Sequence, residues 1–341
     1  MKKTYIKDIR EKENIAGSFL VTKKESGVSK SGKAYLNLKI MDSTGEIEAR
    51  VWESAEELSK NFQKNDVVNL KGFAVAYQGG LQLNVSSINA LADGQYSITD
   101  FLPTTKKDPV KMLSEIDGTI SRIKDRHLKE LLNSIFTDTE VREKFRIAPA
   151  AKSMHHPYLG GLMEHVLSIS GLAEKMVEHY KTGINKDLLI AGALLHDIGK
   201  IYELSYKRAF EYTDEGRLLG HITMGIELID RKLNGLPEFP RELAVLLKHM
   251  LLSHHGQLEF GSPKRPKTIE AIILYYLDDL DAKVNTVQSL VEEERDANSN
   301  WTAYQRLFER YIYRGTFTGQ NNSEESKKDG KEDSGPMSSL F

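Results

Sequence analysis

The sequence predicts an α+β protein in two parts, a small β-barrel followed by an all-helical domain. Apolar residues alternate with period two between residues 15 and 91, and from Val110 onward they recur at helical spacing. The ten histidines are also uneven: none precedes His127, and nine fall from His155 to His255. Imidazole is the commonest metal-ligating side chain, so the second half of the chain is where chemistry is expected.

The 341 residues make about two domains. With 40% hydrophobic and 28% charged residues, the composition is that of a soluble globular chain. A net charge of −2 carries no overall signature of a nucleic-acid binder, so any attraction to phosphate must be local. The absence of cysteine excludes disulfides and thiolate zinc sites, and a cytoplasmic location is expected. There is no leader of secretory type and no run of ~18 apolar residues, so no membrane partner is expected.

The first strand is read at Ile15–Thr22. Leu36, Leu38 and Ile40 form the second, the turn Asp42-Ser43-Thr44-Gly45 follows, and Ile47, Ala49 and Val51 form the third. A short helix is expected from Ser54, its N-cap, to Phe62. Two more strands, Val67–Tyr77 and Leu81–Ile88, flank Gly79-Gly80. Three strands, a helix and two strands is the order of a five-stranded OB-like barrel, a fold that binds oligonucleotides across its strand face and two loops. The domain is placed at 1–95, with a polar linker at 96–110 containing Pro103 and Pro109. Leu113, Ile116, Ile120 and Ile123, then Leu128, Leu131, Leu132 and Ile135, open the helical domain, placed at 111–315 with helices to about Tyr313. Residues 316–341 are rich in Gly, Ser, Asn and charge, and a disordered tail is expected.

The central motif is Leu194-Leu195-His196-Asp197-Ile198-Gly199-Lys200. The apolar residues around it place His196 and Asp197 on a buried helix. Burying both is costly unless something satisfies them, and a divalent cation does so. His165, His221, the pair His254-His255, and Asp278, Asp279 and Asp281 lie on or beside other apolar helical patterns. Lys200 follows His196 by four residues, so it is expected on the same helix face, able to neutralise a substrate phosphate. His155-His156 before Pro157 is positioned to face substrate, whereas His127, His179 and His249 read as structural or exposed.

The order His, His-Asp, His, His-His, Asp over residues 154–282 resembles the HD metal-dependent phosphohydrolase superfamily. The resemblance implies that His165, His196, Asp197 and Asp278 hold a metal, with Asp281 as the alternative ligand one turn on. His221 with His254 or His255 would hold a second ion. Asp197 and His196 are then the catalytic centre together with Lys200. One or two ions are expected. Hard ligands favour Mn²⁺, with Mg²⁺, Co²⁺ or Fe²⁺ as alternatives.

Substrate class rests on the first domain. Lys23, Lys24, Lys30 and Lys33 are read as a basic loop between the first two strands, and Tyr35, Trp52, Phe73 and Tyr77 as available aromatics. Backbone charge plus base stacking is how single strands are held. An OB-like domain followed by His-His-Pro-Tyr-Leu-Gly-Gly-Leu-Met-Glu-His and Leu-Leu-His-Asp-Ile-Gly-Lys is similar to the YhaM-type 3′→5′ exoribonucleases of Gram-positive bacteria. That resemblance implies Mn²⁺-dependent trimming of single-stranded RNA, and of single-stranded DNA. Two alternatives stand beside it: a cyclic-dinucleotide or nucleotide phosphohydrolase, and a non-catalytic nucleic-acid-binding scaffold. Against a cyclic-dinucleotide enzyme, Gly256 to Pro263 lacks the Gly-Tyr-Pro triplet that this branch carries after its His-His pair. Separately, the long apolar helices allow a homo-oligomer, though no heptad run marks an interface.

Overall fold

The computed structural model describes residues 4–77, 79–152, 155–206, 208–293 and 299–315. The chain forms two compact units, residues 1–286 and 287–341.

In the first unit, β1 (Asn14–Val28), β2 (Ala34–Asp42), β3 (Gly45–Val51), β4 (Val67–Tyr77) and β5 (Gly80–Ala90) close into a barrel in the order β1-β2-β3-β5-β4. Phe19, Leu36, Leu38, Ala49, Leu70 and Leu83 point inward and are fully buried, while Asn37, Arg50 and Asn84 stand on the outer side. The expected OB-like barrel is therefore present. Two local expectations are corrected. β1 continues to Val28, because a register shift between Val21 and Lys23 lets its polar second half pair with β2, so Lys23 and Lys24 lie in a strand and not a loop. Ser54 adopts a left-handed conformation and makes no side-chain cap on α1 (Ala55–Leu58), which passes into a 3₁₀ turn at Ser59–Asn61.

The connecting segment is not wholly polar: Phe101 and Leu102 are buried with Leu20, Val67 and Leu159. Helices follow as α2 (Pro109–Ser121), α3 (Arg126–Phe136), α4 (Thr139–Ile147), α5 (Gly161–Tyr180), α6 (Lys186–Leu195), α7 (Lys200–Glu203), α8 (Asp214–Leu233), α9 (Arg241–Ser253) and α10 (Ile269–Glu293). Side chains of Asp108, Asp125, Asp138, Asn185 and Thr213 accept backbone N–H groups at five of their N-termini. α6 is buried from Leu188 to Leu195, and α5 and α9 pack directly against it. Two-residue strands β6 (Leu204–Ser205) and β7 (Glu211–Tyr212) pair between α7 and α8.

In the second unit, residues 299–315 are not helical. Trp301 pairs with Tyr313 and Gln305 with Arg310 in antiparallel bridges, as aromatic-rich sequence favours. The expected disordered tail, 316–341, lies outside the described residues.

Candidate metal centre

His196 and Asp197 do not sit within a helix. α6 ends at Leu195, His196 is its C-cap, and Asp197 to Gly199 form the turn into α7. Gly199 is demanded by close approach: a Cβ there would run into the carbonyl oxygen of His221 and come within 2.7 Å of Gly225 N. α8 breaks at Gly220 (φ 73°, ψ 156°), and this delivers His221 to the same place.

Around Asp197 the ligand types fall into two groups. One comprises His165, His196, Asp197 and Asp278; the other comprises His221, His254 and His255. In each, one candidate ligand atom per residue lies within 4.8 Å of all the rest. Asp197 stands between them. Its Oδ2 is 3.5 Å from His165 Nε2 and 3.4 Å from His196 Nε2, and its Oδ1 is 3.4 Å from His221 Nε2 and 3.6 Å from His254 Nε2. Each carboxylate oxygen thus faces one histidine group.

The imidazoles are all held through the same ring nitrogen. Nδ1 of His165 meets Asp281 at 2.8 Å, that of His196 meets the Ala193 carbonyl at 3.0 Å, and that of His221 meets Glu203 at 3.1 Å. Nδ1 of His254 and of His255 meets the carbonyls of Leu251 and Phe260. With each Nδ1 so engaged, each Nε2 is turned toward the centre, where a cation would take its lone pair once any proton there has left. Asp197 Oδ1, His221 Nε2 and His254 Nε2 are buried without any hydrogen-bond partner. Three orphaned polar atoms converging in one place would cost several kcal/mol, and a cation satisfies all three. The donor set of imidazole and carboxylate suits a divalent ion.

The electrostatics agree. Burial acts to push Asp197 up, yet the charges of Lys200 and His196 hold it well below the usual carboxylate range. Asp278 is likewise held low against burial, chiefly by His165. Burial lowers His165, but its bonds to Asp278 and Asp281 prevail and raise it to about 9. Burial takes His255 down to about 4 and His155 to about 3, so both are neutral at pH 7.

Sequence reasoning left Asp278 and Asp281 as alternatives, and the two fall in different candidate groups, Asp278 with His165, His196 and Asp197, and Asp281 with His165 and His156. Asp278 Oδ1 lies 3.1 Å from His165 Nε2, on the ligand side. Asp281 takes the opposite ring nitrogen, as well as His156 Nε2 at 3.1 Å and the Ser168 hydroxyl. His254 and His255 both belong to the second group. Lys200 heads α7, not the helix of His196, and its ammonium donates to Asp197 Oδ2 at 2.6 Å. His155 lines the cavity beside the centre, but His156 is turned away from it, bonded to Asp281 and to the Tyr158 hydroxyl. Glu203, which fixes His221, was not singled out from sequence. An acidic residue in a short mixed segment carries no pattern of its own.

On the barrel, Lys30 and Lys33 are exposed at the tip of the β1–β2 turn, whereas Lys23 pairs with Glu25. Lys24 is engaged within the fold: it donates to the carbonyls of Ser59 and Phe62 and lies over the Phe62 ring. Tyr35 and Trp52 contact each other with centroids 5.1 Å apart, and the Arg50 guanidinium lies over both rings. Trp52 Nε1 donates to Asn84, the register partner of both Arg50 and Phe73. Trp52, Phe73 and Tyr77 are exposed, and Tyr77 stands at the β4–β5 turn. Arg50 and Asn84 were not marked from sequence, where they look like ordinary outward-facing strand residues.

Family models for an HD domain and for an OB-fold nucleic acid binding domain match residues 162–283 and 19–91. Curated proteins named 3′-5′ exoribonuclease YhaM match almost end to end. The one from Geobacillus sp. (strain WCH70) is 34% identical over 90% of this chain and 93% of its own length. Those from Shouchella clausii and Bacillus subtilis (strain 168) are 35% and 32% identical, over 84% and 89% of this chain and 89% and 96% of theirs.

The chain belongs to the YhaM family.

In this member of the YhaM family the HD match begins at Leu162, so it covers every residue of both histidine groups. The barrel's exposed rings all lie within the OB match. Among the described residues no helix is long and apolar enough to cross a membrane.

Proposed function

We propose that the protein is a metal-dependent 3′→5′ exonuclease that shortens single-stranded RNA, and single-stranded DNA as well, with Mn²⁺ as its working ion. The observation that carries this reading is the Asp197 carboxylate between two histidine groups, one oxygen toward each. Family membership supplies the polymer and the polarity.

His165, His196, Asp197 and Asp278 would hold one ion, and His221, His254, His255 and Asp197 a second. Divalent ions so placed supply a nucleophile at neutral pH and stabilise charge on phosphoryl oxygens. The chain's own groups do the rest. Asp281 and Glu203 fix the ring orientations of His165 and His221. Lys200 stays cationic, because Asp197 offsets its burial, and it lines the cavity where a phosphate would lie. Neutral His155 on the same wall offers a hydrogen bond without adding charge. On the barrel, Lys30 and Lys33 attract the backbone while Tyr35, Trp52 and Phe73 stack bases.

The test uses one RNA labelled at either end, with Mn²⁺ or with chelator. A 5′-labelled strand that shrinks in single-nucleotide steps, and a 3′-labelled strand that releases label at once, are expected only with metal. Internal cuts, metal-independent cleavage, or turnover of cyclic dinucleotides alone would overturn the reading.

A further inference from the structure

Beside the two histidine groups lies a cavity of about 390 Å³. Its wall includes His254, His255, Asp278 and Lys200 on the polar side, with Phe260 and Tyr275 as its two aromatic rings. The volume is near the low end of the ~300–1,000 Å³ of small-molecule sites, room for one nucleotide and not for a stretch of chain.

The two rings are placed by different means. Phe260 is 66% exposed, yet its backbone is firmly held. It ends the single 3₁₀ turn Leu258–Phe260, and its carbonyl accepts from Nδ1 of His255 at 3.1 Å. Buried Ser262 then pins the loop through the carbonyls of Leu252 and Lys264. Tyr275 sits one turn before Asp278 on α10. Its ring packs on Gly256, the residue that follows the His254-His255 pair, and a Cβ at Gly256 would run into that ring. The backbone that carries Phe260 is therefore tied to the His255 imidazole, and Tyr275 shares a helix with Asp278, so both rings are positioned relative to the metal centre.

We propose that Phe260 and Tyr275 seat the base of the 3′-terminal nucleotide by stacking, which places the adjoining phosphodiester at the metal centre. The proposal rests on the 3′→5′ reading above. Every base has a π-face, so an aromatic seat is indifferent to sequence, as an enzyme that removes each nucleotide in turn requires. No hydrogen-bonding edge reader is needed there.

The experiment measures single-turnover removal of the last residue from RNAs ending in a normal nucleotide or in a stable abasic one, with the full chain and Mn²⁺. Wild-type protein is expected to remove the abasic terminus about 10-fold more slowly, within the range that base stacking supports. F260A and Y275A should slow the normal terminus toward the abasic rate and leave the abasic rate unchanged. Y275F, which keeps the ring, should behave as wild type. The wild-type comparison needs no variant, so misfolding of a variant cannot hide the result. Equal wild-type rates on both termini, or variants that slow both termini alike, would overturn the seat while leaving the exonuclease reading intact. Failure of wild-type protein to shorten any 3′ end would overturn both.

Discussion

Replacing Asp281 by Asn tests whether this carboxylate steers His165 or holds an ion itself. Its two oxygens accept from three donors: His165 Nδ1 at 2.8 Å, His156 Nε2 at 3.1 Å, and the Ser168 hydroxyl. An amide offers one accepting oxygen; placed toward the two histidines, it leaves its nitrogen to donate to the Ser168 hydroxyl. The two imidazole bonds then end on a neutral oxygen and not a charged one, a loss of about 1–3 kcal/mol. For a chain of this size that lowers Tm by roughly 2–10 °C. His165 also loses the charged partner that fixes its tautomer, and removing such a partner costs about 10–100-fold in metal affinity. Titration calorimetry on metal-stripped D281N should therefore show the wild-type number of ions, each equivalent of the first group bound about 10–100-fold more weakly. D278N, which alters the ligand side, should bind one ion fewer. If both variants lose an ion, Asp281 is a ligand and the division of roles drawn above is wrong. Unchanged affinity in D281N would equally refute it.

Because His165 is raised to about 9, a proton must leave it before its Nε2 lone pair can take a cation, so Mn²⁺ affinity should rise between pH 6 and 8 and its binding enthalpy should vary with buffer ionisation heat; a flat profile would contradict the assignment. Gly199→Ala puts a Cβ against the His221 carbonyl and within 2.7 Å of Gly225 N, so α8 must shift; a cost of about 1–3 kcal/mol and loss of the second ion are expected, read by urea melts and calorimetry. Lys24→Met leaves the carbonyls of Ser59 and Phe62 without their donor and should destabilise the barrel by about 1–3 kcal/mol while sparing the salt dependence of RNA binding. Lys30→Ala and Lys33→Ala should do the reverse, each reducing the slope of log K against log salt by about 0.7 with stability unchanged; a slope change for Lys24 but not for these two would restore the loop reading.

Much of this molecule is written locally. Period-two alternation at Leu36, Leu38, Ile40, Ile47, Ala49 and Val51 determined a barrel, because a strand has only one way to bury alternate residues. The helical spacing from Leu113 and the run through Leu194-Leu195 determined the second architecture in the same way. Residue chemistry also marked His165, His196, Asp197, His221, His254 and Asp278, since imidazoles and carboxylates beside apolar patterns need a reason to be buried. What the chain could not state in one dimension is which atom faces which. That His196-Asp197 lies in a turn, that Asp197 splits its oxygens between two groups, and that Asp281 serves the far nitrogen of His165 all depend on α5, α6, α8, α9 and α10 meeting at one point. The same holds for Lys24, a basic residue in any sequence, which only the packed barrel turns inward onto two carbonyls. Periodicity records burial along one element, whereas hydrogen-bond direction and ligand geometry are fixed only when separate elements come within about 3 Å of one another.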